Sequence, residues 1–517
     1  MGKRCIVIFL ALLFAFSGIC ARLAYLMVYK PIAVGSLSGN LVVEFSQNRG
    51  AVYDCNGERL VDEKKIKFAA LTKELLPEFI KKGGELSEDE LTQLNSGIPV
   101  MVKVDNDFVC DNVSFFYGNE RYSSLSAATH IVGYLNYEGH GISGIEKSFE
   151  ELLNGGKKSV RFMRNASGEI LKGIGAQQIA DEKTGSVQLT LDKTIQKSIE
   201  TIGSKYIKTG AVVVLDNYSG KIRAMASFPT FDRNYVANSL NNNDKPFINR
   251  ALSEFSCGSV FKLSIAAAAL ESNGMCNYNC SGNMNVGGVS FGCMKKHGMQ
   301  NLYKAIANSC NTYFINLGQK TGADAVYRMA RLMGFNSENI LASGISDVSG
   351  SLNSLDDLMN NPASLANFSF GQGEVMTTPL QIASMIQCIV NKGKRIIPTL
   401  VESTTDKEGN TIKTKIKSPV NVMSEKNAEI LYDCMMETMI SGTGKTSKPK
   451  GCVSGGKTAT AQTGRFDADG NEYLQTWFAG FAENDNYSYT IVVMVENGVT
   501  GGQSAGPVFL EIAEKIF

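Results

Sequence analysis

Residues 257–270 read CGSVFKLSIAAAAL, in which a glycine and a serine precede an alanine-rich apolar run. Alanine and leucine are strong helix formers, so the run predicts a helix that begins close to Ser259. Ser259 and Lys262 lie three positions apart and therefore emerge on the same helix face. A buried lysine can become neutral and accept a hydroxyl proton, which would make Ser259 a nucleophile. Taken alone, the Ser-x-x-Lys spacing occurs by chance in many chains, and an ordinary core helix is its commoner explanation.

Apolar runs on both sides of this stretch predict the fold. Ala211–Leu215 and Ile222–Ser227 flank the turn 217–220, which indicates a hairpin in a buried sheet. Thr476–Phe481 and Tyr489–Val495 predict two more strands. The other predicted elements are a strand at 188–191, a helix at 192–207 and a helix from 508 to the C-terminus. Strands at both ends with helices between them predict one antiparallel sheet flanked by a helical region, and not a doubly wound fold.

Two further motifs offer polar groups suited to catalysis. Ser309-Cys310-Asn311 puts a hydroxyl and an amide on one loop, where they could relay a proton and hydrogen-bond a peptide. In residues 457–461, KTATA, small side chains at alternate positions leave a strand edge open to an extended peptide. Lys457 supplies positive charge for a substrate carboxylate. Each motif alone also has an ordinary explanation, a helix-junction turn for the first and a glycine-rich strand for the second.

The N-terminus predicts a membrane anchor. Lys3 and Arg4 precede the apolar run Cys5–Ala21, and Leu23–Val28 extends it beyond Arg22. The run spans roughly 25 Å as a helix, and the extension lets it cross a bilayer of about 30 Å. Because basic residues come first, we expect residues 1–4 to be cytoplasmic, residues 5–28 to form a single-pass anchor and the rest to lie outside. A cleaved signal peptide is the alternative, and the long apolar run and the poor cleavage pattern argue against it.

Composition narrows the class of protein. A chain of 517 residues, 44% hydrophobic and 20% charged, is globular and long enough for two or three domains. Its net charge is +1, and it has no run of basic residues interleaved with aromatic ones. The sequence therefore predicts that the protein does not bind nucleic acid.

The twelve cysteines raise the question of a disulfide or a metal site. Cys276, Cys280 and Cys293 are close in sequence, and His297 follows them. Cys280 and Cys293 could close a short loop in an oxidising compartment. A single histidine and the lack of a paired CxxC pattern argue against zinc, so the sequence predicts no metal and no cofactor. Free buried thiols are the ordinary explanation for most of the other cysteines.

The order and spacing of Ser-x-x-Lys, the serine loop and the lysine strand match the motifs of penicillin-binding proteins and serine β-lactamases. Along nearly its whole length the chain resembles a class B penicillin-binding protein, and it is similar to compact members of the penicillin-binding protein A type. The other stretches that carry the resemblance are Arg49–Asp54 with Asn56 and Gly57, Gly141–Glu146, Leu153–Gly155, Leu189–Asp192 with Gln196, Asn249–Ala251, Gly371–Gly373, Thr378–Gln381, Trp477–Phe481, and Gly501 and Gly502 with Ala505 and Pro507.

The resemblance implies an α+β multidomain protein. Residues 29–185 would form a small mixed α/β pedestal, similar to the family's dimerisation domain. Residues 186–517 would form a transpeptidase domain, with an antiparallel five-stranded sheet flanked by helices and a helical subdomain. The implied partners are peptidoglycan stem peptides, β-lactams, the bacterial plasma membrane and a glycosyltransferase of the shape-and-division family.

The implied activity is that of a peptidoglycan D,D-transpeptidase. Ser259 would attack the penultimate D-Ala carbonyl of a stem peptide, and an amine of a neighbouring peptide would resolve the acyl-enzyme. Penicillin would acylate the same serine. The implied roles of the other residues are base for Lys262, proton relay for Ser309, amide contact for Asn311, carboxylate contacts for Lys457 and Thr458, and an oxyanion hole from the backbone N–H groups of Ser259 and Thr460.

One position departs from the family pattern. The third motif usually reads Lys-Thr-Gly-Thr, and Ala459 replaces the glycine. A methyl group there narrows the approach of substrate or β-lactam unless it points away. Two alternative functions stay open: a β-lactam-hydrolysing or β-lactam-sensing protein, and a weakly catalytic scaffold of a wall-synthesis complex.

Overall fold

The computed structural model describes residues 13, 15–20, 22, 41–123, 126–164, 170, 176–179 and 181–517. The chain forms two compact units. Unit 1 comprises Met1–Asn48, Lys64–Glu120 and Gly155–Glu182, and unit 2 comprises Arg49–Glu63, Arg121–Asn154 and Lys183–Phe517. The units alternate along the chain, so the segments 49–63 and 121–154, which the sequence assigns to the pedestal, cluster with the large C-terminal body.

Unit 1 contains two three-stranded sheets. In the first, Lys64–Leu71 pairs antiparallel with Val100–Val104 on one side and Ser114–Glu120 on the other. The second contains Leu41–Arg49, Asn154–Phe162 and Ala176–Gln178, in that order. The helices of unit 1 are Lys73–Leu75 (3-10), Leu76–Lys81 and Glu88–Asn95. Ser87 caps the last of these in a capping box with Glu90, as the acidic stretch there favours.

Unit 2 is built on a five-stranded antiparallel sheet. We label its strands β1 (Gly210–Asp216), β2 (Ile222–Phe228), β3 (Val453–Phe466), β4 (Glu472–Glu483) and β5 (Ser488–Glu496). Their order in the sheet is β2-β1-β5-β4-β3. All four neighbouring pairs are antiparallel. The predicted hairpin and the two late strands are therefore confirmed, and β3 forms an edge of the sheet.

Helices cover both faces of this sheet. The main ones are α1 (Lys193–Tyr206), α2 (Lys262–Glu271), α3 (Asn311–Thr321), α4 (Pro379–Val390), α5 (Glu425–Ile440) and α6 (Gly506–Ile516). Side chains alternate along β4, so that Trp477 and Ala479 join the core on the side of α2 and α4, while Phe478 packs with α1 and α6 on the other. Asp192, at which the predicted helix begins, caps α1 because its carboxylate accepts the N–H groups of Thr194 and Ile195. The predicted sandwich of one sheet and flanking helices is confirmed.

Shorter elements complete unit 2. A four-stranded sheet has the order Val52–Tyr53, Ser186–Leu189, Val401–Thr405 and Thr411–Lys413. The two-stranded pairs are Phe255–Ser256 with Met376–Thr377, Tyr278–Cys280 with Gly298–Gln300, Asn283–Val286 with Val289–Gly292, Ile340–Ala342 with Ile345–Ser346, and Lys394–Arg395 with Val420–Asn421. The remaining helical segments are Thr129–Val132, Gly144–Ser148, Glu150–Leu153, Val236–Ser239, Gly258–Phe261, Leu302–Ala307, Ala323–Leu332, Leu355–Asn360, Pro362–Ser369, Lys445–Ser447 and Gly501–Ala505.

A buried ion network joins motifs that are far apart in sequence. Glu146 is fully buried and accepts hydrogen bonds from Arg49 Nε (2.6 Å), Arg121 Nε (2.7 Å) and the Tyr122 hydroxyl (3.0 Å). Arg121 also pairs with Asp62 at 2.6 Å. Burial alone would raise the pKa of Glu146, but the two arginines hold it below its ordinary value. The network fixes segments 49–63 and 121–154 within unit 2.

The predicted anchor at 5–28 lies outside the described residues except for 13, 15–20 and 22. Among the residues that the structure describes, no helix combines the length and the apolar character needed to cross a bilayer.

Candidate active site

The turn that carries Ser259 is held by backbone contacts on both sides. Ser259 lies in the 3-10 segment Gly258–Phe261, directly before α2, of which nine residues are buried. Upstream, the Ser256 carbonyl accepts a hydrogen bond from Trp477 Nε1–H at 2.9 Å. A Cβ on Gly371, whose φ is +79°, would lie 2.0 Å from the Gly258 carbonyl oxygen. Glycine is therefore required at 371, where that loop packs against the serine turn.

Lys262 is the hub of the polar cluster. Its Nζ donates to the Ser309 carbonyl at 2.8 Å, to Ser309 Oγ at 3.3 Å and to Asn311 Oδ1 at 2.6 Å. The side chain is fully buried. Burial disfavours the charged ammonium and lowers the pKa of Lys262 to about 7, although the Cys310 and Cys293 thiols act in the opposite direction. An amine with this pKa is poised to accept a proton near neutral pH.

Ser309 has a strained backbone at the centre of the cluster. Its φ is +55°, in the left-handed region that residues other than glycine and asparagine rarely adopt. The next residues begin α3, and the Asn311 amide donates to the Gly292 carbonyl at 2.9 Å. Strain of this kind persists where surrounding contacts determine the conformation, and it is common at functional sites.

Lys457 approaches the same hydroxyl from the sheet. It lies on the edge strand β3, is fully buried, and donates to Ser309 Oγ at 2.9 Å and to the Thr458 carbonyl at 2.8 Å. Burial, and then the positive charge of Lys262, hold the pKa of Lys457 well below its ordinary value. Because Lys457 donates to the oxygen of Ser309, the hydroxyl proton of Ser309 is left free to be given to another group.

The remaining predicted residues of β3 lie beside this cluster. The Thr458 hydroxyl hydrogen-bonds the Thr443 hydroxyl at 2.6 Å, and the exposed Thr460 accepts the Gly501 N–H at 3.2 Å. One residue further on, the Ala461 Cβ lies 3.0 Å from the position that a Cβ on Gly258 would occupy. The serine turn and the strand after Thr460 are thus in contact, which brings Ser259 and Thr460 onto neighbouring segments.

Ala459 does not narrow the cleft. It is only 3% exposed and belongs to the hydrophobic core that includes Trp477 and Ala479. The methyl group that departs from the family pattern is therefore directed into the protein interior.

A groove lies along the second half of β3. Its volume is about 760 Å³, and its walls include Ser256, Gln462, Arg465 and Gln475. The polar cluster lies beside this groove and does not line it. An extended chain that binds along β3 past Thr460 would enter the groove.

The structure also gathers four side chains that the sequence does not group correctly. In the sequence, Cys276, Cys280, Cys293 and His297 lie close together. In the structure, Cys310 joins Cys280, Cys293 and His297, and Cys276 lies outside the group. All of the ligand atoms of Cys280, Cys293, His297 and Cys310 lie within 4.8 Å of one another. The available signal is the spacing C-x12-C-x3-H-x12-C, which ends inside the serine loop.

This fold and site define a class of protein, the active-site serine proteins in which a buried lysine follows the serine by one helical turn. The sequence matches the family model described as the penicillin binding protein transpeptidase domain over residues 210–514. The chain therefore belongs to the penicillin-binding protein transpeptidase family.

Individual proteins agree with this assignment. The chain is 31% identical over 430 residues to penicillin-binding protein PbpB of Mycolicibacterium smegmatis, an alignment that covers 77% of this chain and 65% of that protein. It is 26% identical to the peptidoglycan D,D-transpeptidase MrdA of Acinetobacter baumannii, over 95% of this chain and 84% of that protein. A solved structure of a peptidoglycan synthase complex that coordinates polymerization and crosslinking shares the fold, with a TM-score of 0.71, 23% identity and 98% coverage of both chains.

The chain spans less than two thirds of several of its curated relatives. Three of these alignments cover 65%, 62% and 61% of the relatives' own lengths.

Proposed function

We propose that this protein is a serine-type peptidoglycan D,D-transpeptidase, which cross-links stem peptides through an acyl-enzyme on Ser259 and is acylated there by penicillin. Its family membership supports the proposal. So do the relatives named as peptidoglycan D,D-transpeptidases.

The single observation that carries the mechanism is the environment of Lys262. The lysine follows the serine by one turn, is fully buried, has a pKa of about 7 and hydrogen-bonds both Ser309 and Asn311. The neutral Lys262 amine keeps two N–H groups, for the Ser309 carbonyl and Asn311 Oδ1, and its lone pair takes the Ser259 hydroxyl proton while the oxygen attacks the peptide carbonyl. The tetrahedral intermediate collapses, the terminal D-Ala leaves as an amine, and its nitrogen receives a proton through Ser309.

Substrate would bind along the edge strand β3. An extended peptide adds there through backbone hydrogen bonds, and the side-chain amide of Asn311 contacts the peptide. Lys457 and Thr458 supply the positive charge and the hydroxyl for its terminal carboxylate. The N–H groups of Ser259 and Thr460 then form the oxyanion hole, where the loss of one donor typically costs about 2.7–4 kcal/mol.

The proposal includes location and partners. Residues 5–28 anchor the chain in the bacterial plasma membrane, and the transpeptidase domain lies on the extracytoplasmic side. A glycosyltransferase of the shape-and-division family supplies the glycan strands. A fold shared with a peptidoglycan synthase complex supports this last part.

Labelling with a fluorescent penicillin tests the proposal. The wild-type chain should form a stable covalent adduct, and Ser259→Ala should form none. Ser264→Ala is a matched control, because Ser264 is buried on α2 and its hydroxyl has no hydrogen-bond partner among the described residues. It should label like the wild type.

The outcomes separate the three candidate functions. A label that turns over rapidly indicates a β-lactam hydrolase, and a folded chain that never labels indicates a scaffold. Incubation with a D-Ala-D-Ala pentapeptide and an amine acceptor, followed by mass spectrometry, completes the test. A labelled enzyme that gives only the hydrolysed tetrapeptide, with no cross-linked product, contradicts transpeptidation.

A further inference from the structure

Three cysteines and a histidine converge next to the serine loop from four short segments. Cys280 ends the strand Tyr278–Cys280, and Cys293 directly follows Val289–Gly292. His297 precedes Gly298–Gln300, and Cys310 is the N-cap of α3. Cys280 and Cys310 are fully buried, and the other two are half-buried.

Three of their six separations are those of a tetrahedral metal site, and all six are below 4.8 Å. Cys293 Sγ lies 3.7 Å from both Cys280 Sγ and Cys310 Sγ, and His297 Nδ1 lies 3.5 Å from Cys280 Sγ. A tetrahedral zinc ion, with Zn–S of about 2.3 Å and Zn–N of about 2.0–2.1 Å, puts two sulfurs about 3.8 Å apart and a sulfur and a nitrogen about 3.5 Å apart. The three separations match this geometry to within about 0.1 Å.

We propose that Cys280, Cys293, His297 and Cys310 bind one Zn²⁺ ion in a structural site. Three thiolates and one imidazole are a soft ligand set, and a tetrahedral S₃N arrangement is typical of zinc. Four protein ligands leave no open position for a substrate or a water, so the ion organises structure and takes no part in the reaction.

A disulfide explains the cluster less well. All four ligand residues keep separate side chains, and the three thiols are free. The Cys280–Cys293 separation of 3.7 Å far exceeds the S–S bond length of about 2.05 Å. A bond between these two cysteines would use two of the four ligands and leave Cys310 and His297 without a role.

The surroundings hold the ligands as a metal site requires. The Thr312 N–H donates to Cys293 Sγ at 3.4 Å, and the Cys293 N–H donates to the Gly282 carbonyl at 2.8 Å. The Gln300 amide donates to the His297 carbonyl at 3.1 Å. Such outer contacts orient metal ligands and support the charge on a thiolate.

The segment 278–300 also needs a source of stability other than an apolar core. Residues 278–300 form two separate two-stranded sheets, and their only buried hydrophobic side chains are Cys280 and Phe291. So small a segment has no apolar core of its own, and a structural metal is one of the devices that stabilise such segments.

The ion would fix the loop that carries the polar cluster. Cys310 is flanked by Ser309 and Asn311, and Gly292, which accepts the Asn311 amide, directly precedes Cys293. Cys310 is thus the chain neighbour of Ser309 and Asn311, and Cys293 is the chain neighbour of the residue that accepts the Asn311 amide. An ion bound to these two cysteines would hold Asn311 in place, together with the left-handed backbone of Ser309. This consequence for catalysis rests on the proposed function, whereas metal binding itself does not.

The first experiment measures zinc in the full chain, purified without a metal-binding tag and under reducing conditions. The wild type should contain about one zinc per chain. Cys310→Ser and His297→Gln should lose most of it. Cys276→Ser is the matched control, because Cys276 lies in the same region but outside the cluster, with its thiol accepting from the Asn316 amide at 3.5 Å. It should keep the full amount.

Cobalt provides a second readout of the ligand set. The chelated wild-type chain, given Co²⁺, should show thiolate-to-cobalt charge transfer and the strong visible bands of tetrahedral coordination. His297→Gln should weaken these bands. If Cys310→Ser fails to fold, the wild-type and His297→Gln measurements decide the question by themselves.

Two results would overturn the site. One is a reduced wild-type chain that binds no zinc when Zn²⁺ is supplied. The other is a native Cys280–Cys293 disulfide, seen as two fewer reactive thiols in the unfolded chain together with no metal.

Penicillin acylation tests the effect on the serine loop. Chelation should slow acylation by about 10- to 100-fold, as loss of supporting contacts does at other metal sites, and added Zn²⁺ should restore the rate. A zinc-loaded chain that is never acylated contradicts the proposed function and leaves the metal site standing. A chain that is acylated equally fast with and without zinc contradicts the positioning role.

Discussion

Two clusters of buried charge lie in unit 2, and they differ in how the charge is balanced. Around Glu146, the guanidinium groups of Arg49 and Arg121 meet carboxylates, including that of Asp62. Around Ser309, two lysines point at one hydroxyl, and among the described residues no carboxylate forms an ion pair with Lys262 or Lys457.

The difference separates structural from reactive charge. In the first cluster opposite charges stabilise one another, so the pKa of Glu146 falls and the ionised state persists. In the second, burial lowers the pKa of both lysines, and the positive charge of Lys262 lowers the pKa of Lys457 further. Paired charge holds a fold together, whereas unpaired charge creates an amine that exchanges protons near neutral pH.

The largest effect is expected from removing a lysine of the unbalanced cluster. Lys262→Met should slow penicillin acylation by about 10²–10⁴-fold, the usual contribution of a general base. It should change the melting temperature little, because the cost of burying the amine is removed together with its hydrogen bonds to Ser309 and Asn311. Stopped-flow acylation and thermal unfolding measure both. Lys205→Met, at an exposed lysine on α1, should change neither. Wild-type acylation in Lys262→Met would overturn the base assignment.

Breaking the balanced cluster should have the opposite pattern. Glu146→Gln leaves Arg49 and Arg121 buried without their shared partner, and should lower the free energy of unfolding by about 3–5 kcal/mol. Denaturant unfolding measures the loss. Glu511→Gln removes only an exposed surface pair with Lys205 and should cost less than about 1 kcal/mol. A loss as small as this in Glu146→Gln would mean that the network contributes little.

The pH dependence tests the unbalanced cluster without mutation. Below a pKa of about 7 the neutral fraction of Lys262 falls about tenfold per pH unit, and the acylation rate should fall with it. Because the folded pKa lies below the ordinary 10.5, an unfolded Lys262 binds more protons between about pH 7 and 10.5, so its contribution to the free energy of unfolding should rise over that window. The groups that face Lys262 are Lys457, Ser309, Asn311, Phe314, Cys293 and Cys310.

Lys262→Met should remove the pH dependence of acylation and should reduce that of unfolding, to which buried Lys457 still contributes. An acylation rate that stays flat from pH 5 to 8 in the wild type would contradict a basic lysine in this site.

The smallest effect is expected from a change at Ala459, an uncharged residue of β3. Ala459→Gly restores the family's glycine, yet it should change acylation by less than about twofold, since the methyl group lies in the core. Stability should fall by about 0.5–1 kcal/mol, because glycine weakens a strand. Ala482→Gly, at a buried alanine of β4 in the core on the other face of the sheet, measures the general cost of such a change. A large gain in acylation for Ala459→Gly alone would mean that the methyl group obstructs the cleft.

Elements with a local signal are predictable from this sequence. The hairpin of β1 and β2 follows from two apolar runs around a turn, and the start of α1 follows from the capping residue Asp192. The length of β3 does not, because its glycines and threonines lack an apolar alternation, and only residues 457–461 are recognisable. The strand Ser186–Leu189 is predicted within two residues, but its partners Val52–Tyr53 and Val401–Thr405 are far away in sequence.

The candidate site shows the same limit. The sequence supplies Ser259, Lys262, Ser309, Asn311 and Lys457, and the structure shows that four of these join one hydrogen-bond cluster centred on Ser309. Cys310 is missed as a possible ligand, because its neighbours in space come from four segments and its neighbours in sequence belong to a different motif.

The alternation of the two units along the chain has a consequence for inheritance. Unit 1 enters unit 2 as the insertions 64–120 and 155–182. A recombination breakpoint near residue 183 would separate Ser186–Leu189 from Val52–Tyr53, and would pair one parent's Arg49, Arg121 and Glu146 with the other parent's catalytic body. A recombination event whose two breakpoints lie at the ends of one insertion leaves unit 2 whole, as domain insertions generally do. We therefore expect the inserted segments to vary between relatives together with the strand that begins at Leu41, which pairs with Asn154–Phe162, while segments 49–63 and 121–154 are inherited together with the sheet of unit 2.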